Sequence, residues 1–123
     1  MYELKTVTQF GAAHQLKDVG GKCENLHGHN WKVEVYVKGE KLDKCGLLVD
    51  FHVIKDAVDK IINELDHKFL NELDFFKDIN PSSENIARYI YEALKRNIDN
   101  ENFKTSRVTV WESDSACATY MES

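Results

Sequence analysis

The chain lacks any apolar run long enough to span a bilayer. Its first residues, Met1-Tyr2-Glu3-Leu4-Lys5, lack the apolar core of a signal peptide and already read as strand, so a cytoplasmic location is expected. Cysteine is scarce: Cys23, Cys45 and Cys117 are odd in number and widely spaced, which argues against a disulfide framework. No basic stripe with interleaved aromatics appears, and the net charge of −5 argues against a general nucleic-acid role. An anionic small substrate stays open, because a local pocket can be basic on an acidic protein. No repeat, low-complexity tract or linker interrupts the chain, so residues 1–123 read as one domain. At this length folding buries roughly two thirds of the unfolded surface, enough for one modest core.

What is present is a clear alternation. Trp31, Val33, Val35 and Val37 alternate with Lys32, Glu34, Tyr36 and Lys38, the period of a strand. A less regular first strand is expected over about Tyr2 to Phe10, with Leu4, Thr6, Thr8 and Phe10 on one face and Val7 on the other. Gly20-Gly21 marks a loop between the two. Asp50 is a candidate N-cap for a helix with the apolar stripe Ile54, Ala57, Val58, Ile61, Ile62 and Leu65. Asn80-Pro81, with the only proline, reads as cap and first position of a second helix carrying Ile86, Ala87, Ile90, Leu94 and Ile98. Two short strands follow, Arg107 to Glu112 and Ala116 to Met121, joined through Ser113-Asp114-Ser115. The order β-β-α-α-β-β implies an α+β layer with an antiparallel sheet and both helices on one face. The other face, with residues such as Val33 or Tyr36, and the bare sheet edges point to oligomerisation.

The chemistry concentrates in Cys23-Glu24-Asn25-Leu26-His27-Gly28-His29. His27 and His29 are two apart, so an extended segment points both to one side, the side of Trp31 and Val33. Gly28 would let the backbone bend between them. His14 ends Phe10-Gly11-Ala12-Ala13-His14. Three neutral imidazoles with one position open form a catalytic zinc arrangement; iron, copper and nickel are compatible with the same ligands. The bland alternative is three loop histidines with no ligand role. Cys23 is either a fourth ligand, a group activated beside the metal, or a small buried hydrophobe. Cys45 and Cys117 read as structural. Asp66-His67 follows the first helix stripe, where the two side chains can converge; a histidine favoured by the helix dipole is the plainer reading. His52 reads as a solvated surface residue. Glu112 reads as a solvated strand end or as a carboxylate able to take the paired N–H groups of a guanidine-like heterocycle. Ser82-Ser83-Glu84-Asn85 suits a helix start.

Together these residues resemble the 6-pyruvoyltetrahydropterin and 6-carboxytetrahydropterin synthase family. The resemblance rests on Cys23-x-x-x-His27-Gly28-His29, preceded by Phe10-x-Ala12-Ala13-His14. Asp66-His67, Pro81-Ser82-Ser83-Glu84-Asn85 and Trp111-Glu112-Ser113 fall in the family's order. It implies a tunnelling fold, a four-stranded antiparallel sheet and two helices per subunit, closing as a homotrimer or homohexamer with active sites between subunits. It implies Zn2+ on His14, His27 and His29, with Cys23 as general base and Asp66 and His67 as a proton relay. Glu112 would anchor the pterin ring, and Ser82, Ser83 and Glu84 would line its pocket. The implied substrate is 7,8-dihydroneopterin triphosphate. The short chain and Glu-Asn-Leu-His-Gly-His-Asn-Trp resemble the carboxy branch, which yields 6-carboxytetrahydropterin, acetaldehyde and triphosphate for queuosine synthesis. The alternatives are the pyruvoyl branch and a folate variant making 6-hydroxymethyl-dihydropterin, in which Glu24 would take part. A non-catalytic zinc-stabilised interaction module would not need Cys23, Asp66, His67 and Glu112 together.

Overall fold

In the computed structural model, which describes residues 1–21 and 24–123, two long strands form the centre. Strand β1, Tyr2–His14, pairs antiparallel with β2, His27–Gly39, in unbroken register from Tyr2 opposite Gly39 to His14 opposite His27. On β1 the even residues Thr6, Phe10, Ala12 and His14 are buried, and on β2 the odd residues Trp31, Val33, Val35 and Val37 are buried. Period two therefore runs through to the histidines, as a strand with one covered face requires. The first strand extends four residues past Phe10.

Helix α1, Phe51–Leu65, starts at Asp50, whose carboxylate accepts the His52 N–H. Its stripe Ile54, Val58, Ile61, Ile62 and Leu65 is buried, while His52 is exposed. Helix α2, Ser83–Ile98, buries Ile86, Ala87, Ile90, Leu94 and Ile98. Its cap is Ser82, accepting from the Asn85 N–H, and not Asn80. The Asn80 side chain is occupied elsewhere, on the backbone of Lys17.

Between the helices lie a two-residue strand β3, Lys68–Phe69, parallel to β1, and two single-turn 3-10 helices, Leu70–Glu72 and Asp74–Phe76. Strands β4, Lys104–Ser113, and β5, Ala116–Tyr120, complete an order β3-β1-β2-β4-β5. The sheet has five strands where four were expected, because β3 adds a short parallel edge beside Ala12 and Ala13. Val33, expected on the uncovered face, lies in the core; Tyr36 lies opposite. That open face carries Lys5, Glu34, Trp111 and Arg107. Glu34 accepts from the Trp111 indole N–H at 2.6 Å and from Lys5 Nζ at 3.1 Å, and the Arg107 guanidinium stacks 3.9 Å above the Tyr36 ring. Among the described residues, no helix is long and apolar enough to cross a membrane.

Candidate metal centre

The end of the β1–β2 ladder brings His14, His27 and His29 onto the helix-side face, above Trp31. Ring centroids are 4.6 Å apart for His14 and His27, 4.7 Å for His27 and His29, and 5.2 Å for His14 and His29. Trp31 forms the floor, edge-on to His14 and His29, and its indole N–H donates to the Ala12 carbonyl. From β4, Glu112 reaches the same point, with Oε1 at 3.2 Å from His29 Nε2 and 3.6 Å from His14 Nε2. One ligand atom from each of these four residues lies within 4.8 Å of all the others.

The ring nitrogens are arranged for a cation. His14 Nδ1 stands 2.8 Å from the Pro81 carbonyl, and His27 Nδ1 stands 2.7 Å from the Asn25 carbonyl. A carbonyl only accepts, so each Nδ1 carries a proton, and in the neutral ring each Nε2 then presents a lone pair. These two Nε2 atoms face each other at 3.0 Å. His29 Nε2 is buried without a hydrogen-bond partner among the described residues, with Glu112 Oε1 at 3.2 Å. Burial, reinforced by the neighbouring His14 and His27 against the opposing pull of Glu112, holds the His29 imidazole below its ordinary pKa and hence neutral at pH 7. Converging ring nitrogens, two of the three rings held by a carbonyl at the far nitrogen, suit a metal, which takes the neutral form of each imidazole. The residues fit a divalent ion.

The other expected groups are placed as follows. Asp66 caps the C-terminus of α1, and its Oδ1 accepts the Gly11 N–H at 2.9 Å while Oδ2 stands 2.9 Å from His67 Nδ1. These contacts, the Gly11 N–H foremost and then His67, outweigh partial burial and hold the Asp66 carboxyl below its ordinary pKa. The convergence of the pair is thus present. His67 sits at φ 59°, a left-handed conformation uncommon outside glycine, with its N–H on the Gly11 carbonyl. Its ring is largely exposed, beside a groove lined by residues including Gly11, Ala13, Gly28 and Asn30. The same groove also includes Ala12 and His29, yet no hydrogen bond or ion pair among the described residues joins the dyad to the three histidines. Ser82 and Ser83 are half-buried next to Pro81, and Glu84 is exposed. Cys23 lies outside the described residues.

Two readings change. Gly28 lies in regular strand, and a Cβ there would meet the Ala12 carbonyl at an ordinary 3.7 Å, so the histidine pair needs no bend. Cys45 and Cys117 are both exposed, so neither fills the core. Unforeseen were Asn71 and Asn80, whose carboxamides hold the segment leaving His14; nothing local in the sequence marks such a clasp.

A five-stranded sheet under two helices, with a trihistidine site where its two longest strands end, defines the tunnelling fold. The family model described as 6-pyruvoyl tetrahydropterin synthase matches residues 3–123, and the chain belongs to this family. A dihydroneopterin monophosphate aldolase of Pyrococcus furiosus is 41% identical over 103 residues, 84% of this chain and 82% of its own length. The 6-carboxy-5,6,7,8-tetrahydropterin synthase of Haemophilus influenzae is 30% identical over 145 residues, covering 99% of this chain and 100% of that protein. The solved structure of Caenorhabditis elegans 6-pyruvoyl tetrahydropterin synthase matches with a TM-score of 0.88 at 31% identity, over 99% of this chain and 96% of that one.

Proposed function

We propose that the chain is a zinc-dependent 6-carboxy-5,6,7,8-tetrahydropterin synthase, converting 7,8-dihydroneopterin triphosphate to 6-carboxytetrahydropterin, acetaldehyde and triphosphate on the way to queuosine. The observation that carries this reading is the convergence of three imidazoles, His29 Nε2 having no hydrogen-bond partner among the described residues, beside the Glu112 carboxylate. Bound by His14, His27 and His29, zinc supplies Lewis acidity toward the oxygens of the substrate side chain. Glu112, half-exposed at the rim, accepts the paired N–H groups of the pterin's amino-pyrimidinone edge. Ser82, Ser83 and Glu84 are assigned to the same pocket; the contact of the preceding Pro81 carbonyl with His14 supports this.

Proton movement falls to Cys23 as base and to the Asp66–His67 dyad as relay. Asp66 orients His67 through Nδ1 and leaves Nε2 to carry the proton. His67 borders a groove that His29 also lines, but among the described residues it pairs with Asp66 and not with the three histidines, so the dyad is assigned to the metal centre of a neighbouring subunit in a homotrimer or homohexamer.

A second reading is favoured by the 41% identity to the Pyrococcus furiosus aldolase. Retro-aldol cleavage of a dihydroneopterin phosphate between the first two side-chain carbons leaves 6-hydroxymethyl-dihydropterin and a phosphorylated two-carbon aldehyde. Glu24, adjacent to Cys23, is the additional carboxylate available for it. Mass spectrometry of products from the zinc-loaded protein, given the triphosphate and the monophosphate separately, decides. Acetaldehyde with 6-carboxytetrahydropterin supports the first reading. A pyruvoyl product without acetaldehyde assigns the pyruvoyl branch. Hydroxymethyl product from the monophosphate assigns the aldolase. Turnover of neither, with zinc bound, leaves a non-catalytic module.

A further inference from the structure

Two asparagine side chains grip the segment that leaves the first histidine. Asn71 Oδ1 accepts the Gln15 N–H at 2.9 Å, and its Nδ2 donates to the Gln15 carbonyl at 2.7 Å. Asn80 Oδ1 accepts the Lys17 N–H at 2.7 Å, and its Nδ2 donates to the Lys17 carbonyl at 2.8 Å. Each carboxamide, with one donor face and one acceptor face, stands in for the peptide group of a missing neighbouring strand. The two clasped residues are two apart, as strand geometry requires for groups facing one way.

Asn80 does more than Asn71. Its own carbonyl accepts from Asn85 Nδ2 at 2.8 Å, which ties it to the first turn of α2. The next residue, Pro81, offers the carbonyl that takes the His14 Nδ1 proton. The one after, Ser82, caps α2. A closed circuit therefore runs from His14 through Lys17 to the Asn80 side chain, along the backbone to Pro81, and back to His14. The Asn80 clasp on Lys17 is thus one of the contacts, with Asn85 and the Ser82 cap, that set where the Pro81 carbonyl meets the His14 ring.

We propose that Asn80 is a positioning residue for the metal centre: it holds the Pro81 carbonyl where it locks His14 in the tautomer that presents Nε2, and it joins that ligand to the Ser82–Glu84 turn. The inference rests on the metal-centre reading above. Loss of a residue that orients a metal-ligating histidine costs about 10–100-fold in metal affinity.

The experiment uses the full chain and zinc alone. Zinc affinity is measured by competition with a chromophoric chelator, and the His14 tautomer by proton–nitrogen NMR of the metal-free protein. In Asn80→Ala, zinc binding should weaken about 10–100-fold, and the His14 proton should spread over both ring nitrogens. Val58→Ala, a core truncation in α1, should lower the melting temperature and leave both readouts unchanged; matching changes there would reduce the Asn80 effect to general loosening and overturn the inference. Wild-type affinity and tautomer in Asn80→Ala also overturn it. If His14→Ala weakens zinc binding and Asn80→Ala does not, the inference alone fails. If His14→Ala binds zinc like the wild type, the metal-centre reading fails and takes the inference with it. Should Asn80→Ala not fold, Asn85→Ala removes only the donor to the Asn80 carbonyl. It should show a smaller loss in the same direction, and no loss there counts against the proposal.

Discussion

His14 Nε2 and His27 Nε2 face each other at 3.0 Å while both Nδ1 atoms lie against carbonyls, so with both rings neutral two lone pairs would meet with no proton between them. A cation relieves that opposition, and His29 Nε2 supplies a third donor. The expected result is one zinc per chain by elemental analysis of the purified protein. Single alanine variants of His14, His27 and His29 should each lose most of it. Chelation should also lower the melting temperature, because an ion that binds only the folded state stabilises it by mass action. A His14→Ala protein with full zinc and activity would show the site to be assigned wrongly.

Glu112 can serve this centre in two ways, as an oxygen ligand or as the substrate's anchor, because its Oε1 lies 3.2 Å from His29 Nε2 yet the side chain stays half-exposed. We expect the anchor. Glu112→Gln should keep zinc and weaken pterin binding about 10–100-fold, the scale of a lost hydrogen bond to a charged group. Calorimetric titration with a pterin checks this. Zinc loss in the variant would make Glu112 a ligand, and unchanged pterin affinity would make it a solvated strand end.

On the open face, the Trp111 indole N–H first, and then Lys5, hold the Glu34 carboxyl below its ordinary pKa against the opposing effect of burial. A lowered folded-state pKa means that the unfolded chain binds the proton more readily. The stabilisation is complete above the unfolded value of about 4.3 and is lost as pH falls through the lower folded value. Glu34→Gln should therefore be about 2 kcal/mol less stable than wild type at pH 7. Urea titrations at decreasing pH should show this gap closing in the acid range. A gap independent of pH would assign the loss to packing.

Much of this arrangement is legible along the chain because burial of one sheet face imposes alternation. Trp31 to Val37 carries it plainly, and parity alone places His27 and His29 with them. The extension of β1 to His14 is harder to see, since Gly11, Ala12 and Ala13 are small and poor strand formers; their pairing with β2 overrides that weakness. Strand β3 has two residues and therefore no period. The clasps of Asn71 and Asn80 are invisible in sequence for a different reason: a carboxamide's partner is chosen by tertiary placement, and theirs lie 56 and 63 residues away.

Edge pairing predicts the assembly. Strand β3 meets β1 only at Ala12 and Ala13, which leaves the stretch from Tyr2 to Phe10 without a strand partner on that side among the described residues, and β5 ends the sheet opposite. Unpaired edges of this length favour closure against another copy. Light scattering should report a trimer or hexamer. An active monomer would remove the reason for assigning His67 to a neighbouring centre.

The last prediction separates metal binding from proton transfer. His67 is held by Asp66 through Nδ1 in a left-handed backbone conformation, outside the histidine cluster of its own chain. Its replacement should spare the metal. His67→Asn should retain zinc and lower turnover about 10²–10⁴-fold, the range for a positioned acid or base. Cys23→Ala should behave alike under the proposed role of Cys23 as general base, which requires an ionisable thiol and not a metal ligand. Zinc content and steady-state turnover of the same preparations give the answer. Zinc loss in Cys23→Ala would make the thiol a fourth ligand. Full turnover in both variants would remove the relay altogether, and in that case the remaining candidate for moving the proton is Glu24, tested by Glu24→Ala with the monophosphate substrate.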